Sequence, residues 1–393
     1  MPPIDACNAV AVRTVFLLSL ITPVCSMAQT PVSEPPPVEK SSDWHLSAYA
    51  DLAYLLDFNF PENHLWRSRS TSQRVNELAP NMGFLNLTKE MTTDSRWGME
   101  VGIQGGYDAK TFGFLQDEPR VGGSDTLRHI QRANVSYLAP VGNGLSIQAG
   151  LFNSLIGYES FYAKDNANYT RSWIADNTPY MMFGVNARYP VNDRLTIAGF
   201  IINGYYHLSR PNDQPSYGTQ IVYRPAADVT VTETLYAGPD QSKTAFEFWR
   251  FYLNSIVERK TDDFILAFSY DIGTESIANQ PGTPRTFVTG GNVVARWRID
   301  GHWAVALRPE FYWDRNGRWT GHEQFLKAVT TTLEYAVPFG WTRTRARLEY
   351  RWDESVGAGG GFYKGGDVAP GTPGLTASQH LLIMALLWSF YSP

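Results

Sequence analysis

The sequence predicts an all-β chain: a transmembrane antiparallel β-barrel of about sixteen strands, with short periplasmic turns and long extracellular loops. Three observations predict it. Segment after segment alternates with period two, the connections between segments alternate between short and long, and Trp and Tyr are abundant although no apolar run reaches the length of a membrane helix.

The stretch "RTRARLEYRW" shows the alternation most plainly. On a strand, Arg343, Arg345, Arg347, Glu349 and Arg351 share one face while Ala346, Leu348, Tyr350 and Trp352 share the other. The same reading divides Ala50, Leu52, Tyr54, Leu56 and Phe58 from Tyr49, Asp51, Asp57 and Asn59. It also divides Val305, Leu307, Phe311 and Trp313 from Arg308, Glu310, Tyr312 and Asp314. Period-two runs bounded by turn residues fall at 46–58, 80–91, 95–108, 126–139, 143–152, 179–190, 193–205 and 216–225. The second half adds 228–237, 246–258, 262–272, 287–299, 302–314, 323–336, 340–353 and 378–390. Connections after even-numbered strands are brief and carry turn chemistry, such as "VGNG" at 141–144 and "DG" at 300–301. Those after odd-numbered strands are long. A soluble sandwich has no cause to sort its loops in this way, whereas a membrane barrel does. Pro309 cannot donate to a ladder, so a bulge or a displaced strand boundary is expected there, and alternation is blurred in strands seven and sixteen.

The longest late apolar run is "LLIMALLW" (Leu381–Trp388), too short to cross as a helix. Aromatic residues make up 14% of the chain, with 12 Trp and 21 Tyr, the residue types that favour membrane interfaces. Acidic residues exceed basic ones by 5 and the pI is near 5.8, so a general nucleic-acid binder is excluded as a class. The first 28 residues, with Arg13, "VFLLSLITPV" and Ser26-Met27-Ala28, read as a signal peptide cleaved after Ala28. "TPVC" lacks the leucine usual ahead of a lipidated cysteine, which disfavours a lipoprotein at Cys25. Both cysteines, Cys7 and Cys25, fall in that segment, so no disulfide is expected in the barrel. Residues 29–43 are Pro- and Ser-rich and read as a disordered lead-in; 44–393 form the barrel.

The middle of the chain resembles the OmpL-like beta-barrel porin family of Gram-negative outer membranes. The resemblance rests on "QAGLFNSLIGYES" (148–160), "YTRSW" (169–173), Pro179, "NGYY" (203–206) and "LYAGPD" (235–240). It covers about residues 140–240, and strand patterning carries it over the remainder. Such barrels often end in an aromatic residue; here Phe390 is followed by Tyr391, Ser392 and Pro393. In general porins the loop after strand five folds inward and sets the constriction. The connection 153–178 resembles such a loop, and its charges are Glu159, Lys164, Asp165, Arg171 and Asp176. The alternative is a loop that caps the outer surface.

Alternation directs Arg132, Arg188, Arg250, Arg296, Arg298, Arg308, Arg343, Arg345, Arg347 and Arg351 into the lumen. Asp51, Asp57, Glu90, Glu100, Asp271, Glu310, Glu334 and Glu349 join them there. Arginines gather on strands twelve to fifteen and acids on strands one to three, so the expected lining carries a transverse field and a modest preference for anions. Salt-bridged wall packing is the bland alternative. The expected activity is passive diffusion of small hydrophilic solutes and ions, with no cofactor. Outer-membrane lipid, lipopolysaccharide and the solutes are the partners, and a homo-oligomer is compatible with the sequence. Two rivals are a plugged structural or adhesion barrel and a barrel hydrolase. The hydrolase lacks G-x-S-x-G and H-E-x-x-H, and the seven histidines show no i, i+3 or i, i+4 pairing, so neither nucleophilic nor metal chemistry has local support.

Overall fold

The structure is a computed structural model and describes residues 43–111, 124–208, 212–277, 284–338 and 342–392. The expected signal peptide and most of the lead-in lie outside the described residues. The first strands are β1 (Trp44–Asp57), β2 (Leu78–Lys89), β3 (Trp97–Gly105), β4 (Ile130–Ala139), β5 (Leu145–Asn153) and β6 (Met181–Asn192). β7 (Leu195–Ile202), β8 (Ser216–Ala226), β9 (Val229–Gly238), β10 (Arg250–Lys260), β11 (Phe264–Glu275) and β12 (Thr286–Arg298) follow. The last are β13 (Trp303–Asp314), β14 (Gln324–Val337), β15 (Arg343–Val356), β16 (Phe362–Ala369), β17 (Thr372–Thr376) and β18 (Ser378–Tyr391). All but β16 and β17 form one closed antiparallel barrel of sixteen strands, in chain order, sealed where β18 pairs with β1 from Ser47↔Tyr391 to Asp57↔Leu381. Each of the sixteen predicted segments overlaps one barrel strand. The hairpin β16–β17, inside the last long connection, escaped the sequence because Gly365, Gly366 and Gly371 break its alternation.

Closure follows from the solvent. In hydrocarbon an unpaired backbone group costs several kcal/mol, so a sheet crosses only when its two edges meet. The side chains obey the same constraint. Leu348 and Tyr350 on β15 are 47% and 45% exposed on the outer face, while Glu349 and Arg351, which alternate with them, are fully buried on the inner one. Trp44, Trp97, Tyr137, Trp297 and Trp303 are exposed on the outer face near the short-turn end, and Tyr217, Phe311 and Trp313 near the long-loop end, two girdles at the heights where rings meet headgroups.

Three expected strand ends are 3-10 turns instead: residues 107–111, 124–129 and 246–248, so β3, β4 and β10 are shorter than their alternating patterns. At Pro309 there is neither a bulge nor a displaced boundary. Pairing of β12 with β13 lapses between Asn292↔Glu310 and Ala295↔Leu307 and resumes in the same register, while β14 pairs with β13 through Pro309↔Val329. The ring's missing N–H is accommodated by a local gap in one ladder. The blurred alternation of β7 and β18 also has a cause. Leu381, Ile383 and Leu387 are buried on the inner face of β18, and Phe200 and Ile202 on that of β7, within one apolar cluster that includes Leu155, Ile156, Phe161 and Tyr162 of the 154–180 connection. Both faces of these strands are dry.

Arginine on the lipid face tests the facing assignment. Leu348→Arg, at mid-strand on β15, is expected to destabilise the barrel by ~2–4 kcal/mol in reversible urea unfolding from lipid vesicles; an unchanged midpoint would place Leu348 away from the hydrocarbon.

Candidate functional site

Residues 154–180 bond to three separated arcs of the wall. On the first arc, Gly157 donates its amide to Asn254 of β10 (3.0 Å), Gln220 of β8 donates to the Leu155 carbonyl (2.6 Å), and the Tyr158 hydroxyl donates to Glu258 (2.7 Å). On the second, the amides of Tyr169 and Thr170 donate to the two oxygens of Glu349 on β15 (2.6 and 3.0 Å). Trp173 donates its amide to Glu310 of β13 (2.5 Å) and its indole N–H to Asp353 of β15 (2.8 Å). On the third, Asn81 of β2 donates to the Tyr169 hydroxyl (2.7 Å), and the Tyr162 hydroxyl donates to Gln104 of β3 (2.9 Å). A segment that reaches β2–β3, β8–β10 and β13–β15 at once lies across the barrel interior. This geometry differs from a loop capping the outer surface.

Folding a loop into a barrel strands its carbonyls away from water, and each needs a donor. The wall arginines supply them. Arg347 donates to the carbonyls of Ala163 (2.8 Å), Asn166 (2.7 Å) and Asn168 (3.0 Å), and Arg345 to that of Lys164 (2.8 Å). Arg308 donates to the carbonyl of Thr170 (2.5 Å) and Arg351 to that of Arg171 (3.0 Å). The flat five-donor guanidinium suits this task, because one side chain serves several acceptors and still meets a carboxylate. Glu334 lies 2.6 Å from Arg347, Glu159 lies 2.7 Å from Arg308, and Glu310 and Asp353 lie 3.0 and 2.8 Å from Arg351.

The connection 58–77 presses on this loop from the long-loop side. Arg69 lies 2.9 Å from Asp176, whose carboxylate also accepts from the hydroxyl of Thr71 (2.7 Å). The backbone there takes positive φ at Phe60, His64, Ser68, Ser72 and Asn76, none of them glycine. Such a conformation persists only where surrounding contacts dictate it. The guanidiniums of Arg69 and Arg351 lie over the rings of both Trp66 (4.6 and 5.1 Å) and Trp173 (4.8 and 5.7 Å). Burial pushes Asp176 up, but Arg69, Thr71 and Tyr180 outweigh it and hold the carboxyl below its usual range. Asp108, 3.2 Å from Arg171, is pushed up to about 7 by burial, with Arg171 opposing the shift.

The predicted lining therefore divides by depth. Arg308, Arg347, Arg351, Asp51 and Asp57 are buried and do not border open water as expected, because the inward loop and its neighbours occupy the lumen at their height. Asp51 accepts from the Tyr49 hydroxyl (2.6 Å) and the Met82 amide (3.0 Å), and Asp57 from Gln379 (2.6 Å). Glu159 and Arg171 are likewise enclosed, whereas Lys164 and Asp165 pair at 2.8 Å at a partly exposed position. Toward the short-turn end, Arg298 and Arg343 are exposed, Arg345 is half-buried, and Arg296 is half-buried beside Glu334 (2.9 Å). Arg188 and Lys260 are exposed at inward register positions of the same end. Glu100 is half-buried and accepts from Asn134 (2.8 Å), and Glu90 sits past the end of β2, 3.7 Å from His45. Sequence reasoning missed Trp66, Arg69, Asp108 and Thr170; "RSRSTSQR" has no periodicity that signals a partner. A cavity of about 300 Å³ remains on the long-loop side, bordered by Arg69, Asp176, Tyr180, Tyr206 and Trp319. Among the described residues no group of three His, Cys, Asp or Glu side chains is placed to hold a metal ion.

Solved structures share the barrel. OmpF of Salmonella typhi in complex with daunomycin superposes with a TM-score of 0.55 at 11% identity, over 88% of this chain and 97% of that one. OmpT of Vibrio cholerae, expressed in the outer membrane, gives 0.52 at 10% identity over 89% and 99%, and OmpT is also known in a trimer form. An anion-selective porin from Comamonas acidovorans gives 0.50 at 12% over 88% and 99%. At these identities the likeness concerns the fold. No curated protein matches the sequence. The family described as Putative beta-barrel porin-2, OmpL-like, matches residues 43–390, nearly the whole of the barrel, and the chain belongs to that family.

Proposed function

We propose that the protein is a non-enzymatic outer-membrane porin, delivered by its N-terminal signal peptide, through which small hydrophilic solutes and ions diffuse passively. The 154–180 loop sets its constriction. The observation that carries the reading is the seating of that loop: wall arginines and carboxylates hold it across the lumen, so it divides the bore without sealing the sheet. Passage runs from the cavity beside Asp176, Tyr180 and Tyr206 on the long-loop side toward the short-turn mouth of the barrel. At that mouth Arg188, Lys260 and Arg343 are exposed and Arg298 is exposed 3.8 Å from Asp263, whereas Glu334 is buried in ion pairs, Glu100 is engaged by two amides and Glu258 by the Tyr158 hydroxyl, a balance that leans positive and favours anions. Arginine stays charged at any working pH, so this preference does not titrate. A trimer of such barrels fits the reading.

Refolded protein is expected to give discrete conductance steps in planar bilayers; a closed barrel that gives none would favour the plugged structural alternative. Arg298→Ser with Arg343→Ser is expected to move the reversal potential toward cations at little cost in stability, since both side chains are exposed. Arg347→Met has a different expected signature: it leaves three loop carbonyls without their donor and Glu334 with Arg296 alone at close range, costs ~3–5 kcal/mol, and raises or destabilises the conductance by unseating the loop. Equal behaviour of the two variants would separate the loop from the constriction.

A further inference from the structure

At the short-turn mouth three guanidiniums share one carboxylate. Glu334 on β14 lies 2.6 Å from Arg347, 2.9 Å from Arg296 and 4.0 Å from Arg345. Arg296 stands two strands away, on β12, and reaches across because the inward positions of β13 between them are Ala304 and Ala306. Arg343, two residues before Arg345 on the inner face of β15, brings a fourth charge close enough for the two to repel. Among the described residues its guanidinium enters no ion pair. The neighbouring acids do not restore the balance. Asp165 is taken by Lys164 (2.8 Å), and Glu349, the next inward carboxylate on β15, accepts from the amides of Tyr169 and Thr170.

Arg347 spends its donors on Glu334 and the loop, whereas the other three keep some. Arg345 gives Nη1 to the Lys164 carbonyl, and its Nε and Nη2, the edge that forks around two oxygens, carry no hydrogen bond among the described residues. Arg296 gives only Nη2, to Glu334, and Arg343 gives none. All three reach water: the side chains of Arg296 and Arg345 are 21% and 31% exposed, and Arg343 is exposed. Wall packing does not require them all, since Arg347 and Arg296 already satisfy both oxygens of Glu334. Surplus charge with unspent, water-facing N–H groups fits a compact multivalent oxyanion, whose several oxygens take bonds from more than one guanidinium; a halide offers a single centre. A diffuse field would only enrich anions at the mouth, but a cluster of this kind holds one.

We propose that Arg296, Arg343 and Arg345 form a binding station for a phosphate group on the short-turn side of the inward loop. The inference deepens the porin reading and rests on its open short-turn mouth. The test is titration calorimetry of the refolded barrel, shown closed by its heat-modifiable gel mobility, with inorganic phosphate at constant ionic strength. Wild-type protein is expected to bind it saturably. Arg343→Gln should weaken binding severalfold, and Arg296→Gln with Arg343→Gln by about tenfold or more, as loss of charge-assisted contacts implies. Arg188→Gln removes the same charge from the same mouth, on β6, and should cost less than about twofold because salt screens a charge outside the cluster. Glycerol 3-phosphate distinguishes the sources of the group: binding of both assigns the station to phosphoryl groups at large, binding of inorganic phosphate alone to the free anion, and either supports the inference. It is overturned if wild-type protein shows no saturable phosphate binding, or if Arg188→Gln weakens binding as much as Arg343→Gln does, which would leave only a diffuse field. Single-channel recording on the same samples reads the porin function separately: conductance steps without phosphate binding keep the porin and remove the station, and binding without steps does the reverse.

Discussion

Every part of this molecule answers to the cost of an unpaired polar group where water is absent. Outside, that cost closes the sheet: β1 and β18 must meet, and an antiparallel barrel closes only with an even number of strands. Inside, the same cost decides how a long connection can enter the lumen. A loop with only a 3-10 turn and one short helical turn of its own brings bare carbonyls with it, and the wall meets them with Arg345, Arg347, Arg308 and Arg351. The barrel wall behaves toward its own loop as a soluble core behaves toward a buried turn.

Burying those arginines is costly in turn, since a desolvated charge needs a partner in good geometry. Glu334, Glu310, Asp353 and the loop's Glu159 provide it. The result is an interior network in which the wall and the loop each supply both signs of charge, so neither folds into this arrangement without the other. Two tryptophans sandwiched with Arg69 and Arg351 extend the network to the first long connection. Arg298 and Arg343, at the short-turn end, stay outside the network and keep their guanidiniums exposed.

Departures from ideal alternation are informative here. β18 reads as apolar on both faces because both are dry: lipid on one side, and on the other the apolar cluster to which the inward loop contributes. A purely water-lined strand would have polar Ser or Thr where Ile383 and Leu387 stand. A blurred strand in a barrel sequence thus marks a place where something packs against the inner wall.

The sequence by itself determined the barrel: the strand count, the sorting of loops and the outward face of every well-patterned strand, because period-two alternation and turn chemistry are local. It also brought Arg308, Arg347, Arg351 and Glu349 to the inner face. It could not say that these four meet Thr170, Ala163 and Arg171 rather than water, nor that Arg69 reaches Asp176 across more than a hundred residues. Only the tertiary structure decided that. An inward direction is written in the alternation, but what lies inward depends on where an aperiodic loop is pinned, and that is fixed by contacts between residues that no local period relates.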